Sequence, residues 1–112
     1  MGRAFLIKTT DYNKFYFILR DDTNELILKG KPYKTRQECR QRIEAVRSQS
    51  LRNANYDRHN DKKGRPKFHI NSREDEIIAE GGPFISREER ARAIETIKEC
   101  APCSPIIDRT LN

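Results

Sequence analysis

Two stretches decide the fold: "GKPYKTRQECRQRIEAVR" (Gly30–Arg47) and "GGPFISREERARAIETIK" (Gly81–Lys98). They lie 51 residues apart and repeat one phrase. Each opens with Gly-x-Pro and an aromatic. Each then places a hydroxyl residue three positions before a glutamate, Thr35-x-x-Glu38 and Ser86-x-x-Glu89. This is a capping box, in which the hydroxyl accepts from the third helical N–H and the glutamate reaches back to the N–H of the cap. Beyond it Cys39, Ile43 and Val46 fall on one helical face, as do Ile94 and Ile97. Gln49–Ser50 and Ala101–Pro102 are the expected helix ends.

The same shift brings the rest of the chain into register. Phe5 meets Tyr56, Phe17 meets Phe68, Tyr33 meets Phe84, and Ile27 meets Ile78. Aromatics that recur at a fixed period are expected core anchors. Upstream of each helix the pattern predicts three short strands. These are "FLIK" (Phe5–Lys8), "FYFIL" (Phe15–Leu19) and "ELIL" (Glu25–Leu28), echoed by Tyr56–His59, Lys67–Ile70 and Glu76–Ala79. Phe17 and Leu19 share one face of a period-2 strand, as do Phe68 and Ile70. Asn13 and Gly64 occupy equivalent turn positions and are residue types that tolerate a left-handed backbone, so each copy is expected to open with a hairpin.

The paired aromatic strands, "ELIL" followed by Gly30, Pro32, Tyr33, Thr35 and Cys39, and a second copy running through "PFISREER" to "AIETIK" together resemble the YegP-like family. These are small, mostly bacterial tandem-repeat proteins of unknown function. The resemblance spans about residues 4–101 and departs from the pattern in the very polar Asp57–Lys67 and in the tail. It implies an α+β fold of two β-β-β-α repeats about a pseudo-twofold, with antiparallel strands packed against two helices. It implies no activity and brings no catalytic residues. The expected organisation is a single compact domain, residues 1–112, with repeats at 4–50 and 55–101 and a tail at 102–112.

Size supports sharing. A unit of 51 residues buries too little surface to stand comfortably alone, so two such units are expected to form one core. No apolar run is long enough to span a membrane, and "MGRAFLIKTTDYNKF" has no signal-peptide pattern. Position 6 is leucine, which breaks the myristoylation motif opened by Gly2. Three cysteines cannot all pair within one chain, so a reducing cytoplasm is the expected compartment. The net charge of +6 is lopsided: residues 1–54 hold 12 Lys/Arg against 6 Asp/Glu, and residues 55–112 hold 11 against 11. An acidic partner must therefore be considered.

Candidate chemistry is sparse. Cys100-x-x-Cys103 has redox spacing, but Cys100 falls at a helix C-terminus, where the dipole raises a thiol pKa. Cys39, His59 and His69 do not complete a zinc set with it. The two histidines have no nucleophile–base–orienter arrangement around them, and no phosphate loop, HExxH or GxSxG occurs. The expectation is no catalytic site, no metal and no cofactor.

Two surfaces remain. Arg36, Arg40 and Arg47 fall in a narrow stripe along the first helix, and Lys62, Lys63 and Arg65 form a basic turn. Together they are candidate phosphate contacts, with a solvated helix face as the plainer explanation. On the other side of the second strand, Tyr16 and Ile18 stand where the second copy has Lys67 and His69. A sheet covered on one side should be polar outside. Tyr16 and Ile18 therefore mark a candidate interaction face, covered by the second copy, another subunit, a partner, or the tail residues Ile106, Ile107 and Leu111. The leading reading is a non-catalytic binding or protein-interaction module, as a homodimer or with an unknown protein partner. The alternative is weak nucleic-acid binding through the basic stripe.

Overall fold

The computed structural model describes residues 2–111. In chain order the elements are β1 (Ala4–Thr9), β2 (Phe15–Arg20), β3 (Leu26–Gly30) and α1 (Arg36–Gln49), then a single 3-10 turn (Asn53–Asn55). They continue with β4 (Tyr56–Asn60), β5 (Pro66–Asn71), β6 (Ile77–Gly81), α2 (Arg87–Cys100) and β7 (Ile106–Asp108). This is a small α+β fold: one seven-stranded sheet, in the order β4-β5-β6-β3-β2-β1-β7, with two helices.

All four hairpin turns use one device. Thr10, Asp21, Asp61 and Ser72 each stand at the turn entrance. The side-chain oxygen of each accepts from the amides two and four residues on, at 2.8–3.2 Å. Three residues after each entrance the backbone turns left-handed, at Asn13 (φ 60), Asn24 (φ 68), Gly64 (φ 79) and Asp75 (φ 60). Asn, Asp and Gly are the residue types that hold this conformation most readily. The strands are tied at the exit by Thr10 N–H to Lys14 O, Asp21 N–H to Glu25 O, Asp61 N–H to Arg65 O and Ser72 N–H to Glu76 O. This is the three-residue hairpin, a turn closed by a left-handed residue.

The pairing registers recur 51 residues apart. Phe5 opposes Leu19 as Tyr56 opposes Ile70, and Leu19 opposes Leu28 as Ile70 opposes Ala79. Even the irregularity before Arg20 recurs before Asn71. At the centre β3 pairs with β6, and there Lys29 opposes Glu80, its own counterpart. An antiparallel pair in which equivalent positions face one another is the relation that a twofold axis imposes.

Both helices start where the capping boxes place them. The Glu38 N–H donates to Thr35 Oγ1 at 3.0 Å and the Glu89 N–H to Ser86 Oγ at 3.1 Å. The reciprocal half differs from expectation: Glu89 accepts from the Ile85 N–H, and Glu38 meets the Thr35 hydroxyl. Cys39, Ile43 and Val46 of α1 and Ile94 and Ile97 of α2 are fully buried against Phe5, Phe17, Leu28, Phe68 and Ile78. One core therefore lies between the helices and one face of the sheet, and it runs through both halves.

Gly30 and Gly81 end β3 and β6 inside the sheet rather than before it. A Cβ at Gly30 would sit 2.2 Å from Phe17 Cε2, and one at Gly81 would sit 2.4 Å from Phe68 Cζ. Each ring fills the space a side chain would take at the glycine, which explains why the glycine recurs with Phe17 and Phe68. The expected strands Glu25–Leu28 and Glu76–Ala79 are accordingly shifted toward the C-terminus, since Glu25 and Glu76 still close the turns.

The expectation of a wholly antiparallel sheet needs correction. Within the stretch read as a tail, β7 runs parallel to β1, with Phe5 opposite Ile106 and Leu6 opposite Ile107. The reason is again the repeat. Ile107-Asp108-Arg109 is the counterpart of Tyr56-Asp57-Arg58, the opening of β4. α2 returns the chain to the site of a first strand in a first-strand direction, and β1 already fills that site.

Gly30→Ala and Gly81→Ala should each lower stability by about 1–3 kcal/mol, the usual cost of overpacking a closed site. Gly2→Ala, with open space around it, should be neutral. Urea unfolding of the three variants checks this; equal midpoints would contradict the ring-on-glycine account.

Candidate interaction surfaces

The helices cover one face of the sheet, and among the described residues no element covers the other. Across that second face a single row of opposed residues runs Ile107, Leu6, Ile18, Lys29, Glu80, His69, Asp57. Polarity changes abruptly along it. On the β1–β2 side Ala4, Leu6 and Ile18 form a separate apolar cluster with Tyr16 packed against it. On the β4–β5 side His69 Nε2 lies 3.3 Å from Asp57 Oδ2, and the His59 and His69 rings are 5.1 Å apart.

Ile18 is only 3% exposed, so it does not itself present surface. What the face offers is the half-buried Tyr16, with Lys29 Nζ 5.4 Å from its ring centre, and Ile107, 39% exposed, beyond Leu6. The tail does not lie over this face. By joining the sheet edge it adds Ile107 and widens it.

The three stripe arginines all meet partners within the chain, and most of those partners belong to the tail. Arg36 Nε donates to Thr110 Oγ1 at 2.7 Å and lies 3.4 Å from Asp108 Oδ2, with Arg40 at 3.9 Å from the same oxygen. Arg47 pairs with Glu44 at 2.7 Å and donates to the Ser104 carbonyl. Arg36 also lies over the Phe15 ring and Arg47 over Phe5.

The Asp108 side chain is 3% exposed. Burial pushes its carboxyl up, but donation by the Thr110 hydroxyl and amide, with the Arg36 and Arg40 charges, outweighs burial and holds it below its ordinary value. Asp108 and its arginines are 68 to 72 residues apart in the chain, a separation at which no local pattern signals a contact.

Lys62, Lys63 and Arg65 lie in the β4–β5 turn, at the opposite sheet edge from β7. Five strands separate the two edges, roughly 25–30 Å at ordinary strand spacing. Arg65 is held by Asp61 at 2.7 Å, while Lys62 and Lys63 are exposed. The stripe and the turn are thus two separate basic places. Of the thiols, Cys39 is buried in the core, which pushes it up to about 11. Cys100 is likewise buried and raised, and Cys103 is exposed; all three are free.

Two grooves sit at equivalent places where each helix crosses the hairpin of the other half. One, of about 470 Å³, is bridged by Arg42 reaching Glu76 at 2.9 Å. The other, of about 660 Å³, has Ala93 and Glu25 at those positions and so lacks the bridge. Neither groove includes His59 or His69. The glutamate recurs in both copies, but only the first copy supplies the arginine.

Replacing Arg42 by Ala should cost about 1 kcal/mol, a modest loss because the pair is partly exposed. Ala93→Arg should recover a similar amount by bridging to Glu25. Chemical denaturation of both variants decides it, and an unchanged Arg42→Ala midpoint would contradict the bridge. Asp108 carries a depressed pKa. Its contribution is therefore full above the unfolded value of 3.8 and is lost as pH falls through the lower folded value. Wild type should lose stability below about pH 4 more steeply than Asp108→Asn, measured by urea unfolding across that range.

Comparison with known proteins places this geometry. The family described as "Domain of unknown function (DUF1508)" matches twice, over residues 12–57 and 61–108. A UPF0339 protein in the ptx operon 5' region of Stutzerimonas stutzeri is 22% identical over 96% of this chain and 97% of its own. A UPF0339 protein of Acinetobacter baylyi is 25% identical over 98% and 99%. The solution structure of yegP from E. coli, a protein of unknown function, superposes with a TM-score of 0.92 at 22% identity, over 97% of this chain and 94% of that one. A UPF0339 protein from Shewanella oneidensis gives a TM-score of 0.90 at 23% identity, over 96% and 92%. With two matched copies filling most of its length and the same fold in both solved structures, the chain belongs to the DUF1508 family.

Proposed function

We propose that this protein is a cytoplasmic, non-catalytic interaction module. It is made of two β-β-β-α units about a pseudo-twofold, and it associates with a second copy of itself through the uncovered sheet face of its first half. The observation that carries this reading is the asymmetry of that face. Equivalent positions hold Tyr16 and Ile18 in one half and Lys67 and His69 in the other, although both halves share one backbone framework.

A second copy suits the face because it is self-complementary. A twofold contact sets Tyr16 and Ile107 of one protomer on the same residues of its partner. The lysines and glutamate around them, Lys8, Lys29 and Glu80, then meet as a rim of mixed sign. Nucleic-acid binding through Arg36, Arg40 and Arg47 ranks second, because those guanidinium groups already have partners within the chain.

Light scattering after gel filtration tests the reading. Wild type should approach twice the chain mass as concentration rises, and Tyr16→Glu should hold it at the monomer mass with its thermal melt retained. A wild type that stays monomeric at every concentration would overturn self-association.

A further inference from the structure

The outer edge of β1 and the arginines beside it are a built docking site with an occupant. β7 is only three residues long, yet it is held at both ends. The Phe5 N–H donates to Pro105 O at 2.8 Å and the Arg109 N–H donates to Ile7 O at 2.9 Å. Asp108 anchors it from the side. One carboxylate oxygen accepts from the Thr110 amide at 2.8 Å and from its hydroxyl; the other is buried beside Arg36 and Arg40 with no hydrogen bond of its own. Ile106 packs against the main core, while Ile107 and Leu111 remain largely in solvent.

The contact has the parts of peptide recognition by strand addition. Main-chain bonds come from a sheet edge, alternate side chains fall in and out, and one charged side chain reads a socket. The equivalent edge at β4 has no such occupant among the described residues and no such socket, since Arg40 is replaced there by Ala91 and Phe15 by Pro66.

We propose that the β1 edge with Arg36 and Arg40 is a binding groove for an extended protein segment carrying two aliphatic residues followed by an acidic one, and that Ile106–Asp108 is its resident, displaceable occupant. The tail then acts as an internal competitor. The short connection Ala101–Pro105, with Ser104 buried and bonded to Cys100, keeps the tail beside its groove at high effective concentration, so an outside segment binds well only when it outmatches the tail or when the tail is released. The two sites share Ile107, which the tail lends to the Tyr16 face, but the peptide test does not depend on self-association.

The test uses the full chain with its tail expelled by Asp108→Lys, which sets a third cation between Arg36 and Arg40. A fluorescein-labelled peptide of residues 104–111, SPIIDRTL, is titrated by anisotropy into wild type and variant. The variant should bind it at least tenfold more tightly than wild type does, and a peptide with lysine in place of its aspartate should not bind. Equal binding to both proteins, or none to a folded variant, overturns the proposal. Should Asp108→Lys fail to fold, isotope-labelled wild type with excess unlabelled peptide decides. The Arg109 and Thr110 amide resonances should move to unstructured positions while Phe5 stays in the sheet. Unmoved tail resonances at millimolar peptide overturn the proposal.

Discussion

Two phenylalanine rings packed against two glycines sit at the junction on which the fold depends. Phe17 crosses Gly30 and Phe68 crosses Gly81, at distances that leave no room for a Cβ. These contacts flank the short β3–β6 pairing that joins the halves through Lys29–Glu80 and Gly30–Ala79. Ile43, Val46, Ile94 and Ile97 of the helices share one buried core with both rings, across the junction. A small chain with low hydrophobic content has little core to spare, so a junction that serves both halves is worth more than two private cores.

On that common frame the halves diverge where side chains leave the core. The first keeps apolar residues on the uncovered face and Arg40 and Arg42 on its helix; the second puts charges on the face and has Ala91 and Ala93 at those two helix positions. The C-terminal strand belongs with the first half for the same reason. In sequence it matches the opening of a further copy, but its Asp108 turns to the helix side whereas Asp57 faces the uncovered side, and the first helix has Arg40 beside Arg36 to receive that carboxylate where the second has Ala91. The difference between the halves is thus concentrated at surfaces, and those are the surfaces proposed to bind.

Much of this was legible in the sequence, and the limits follow from range. Capping hydroxyls, period-2 strands and the aromatic spacing act over a few residues, so Thr35, Ser86, Phe17 and Phe68 announce themselves. The turn entrances Thr10, Asp21, Asp61 and Ser72 were equally present, but they differ in residue type and so hide their shared role. β7 escaped because three residues cannot display a period, and its partner strand lies at the other end of the chain. Arg36 and Arg40 looked like a surface stripe because helical geometry reports direction, not what comes to meet it. Ile18 looked exposed because alternation shows which side a residue faces, not how far Tyr16 and Lys29 fold over it.

The account rests on a single cooperative unit of two halves with one separable strand. Native-state hydrogen exchange tests this most directly. Amides of the β3–β6 junction and of both helix cores should share the slowest, global rate, while the Phe5 and Arg109 amides that tie β7 should exchange through a smaller, local opening. Two separate slow rates, one for β1–α1 and another for β4–α2, would contradict the shared core. A β7 that opens only with global unfolding would contradict the separable strand.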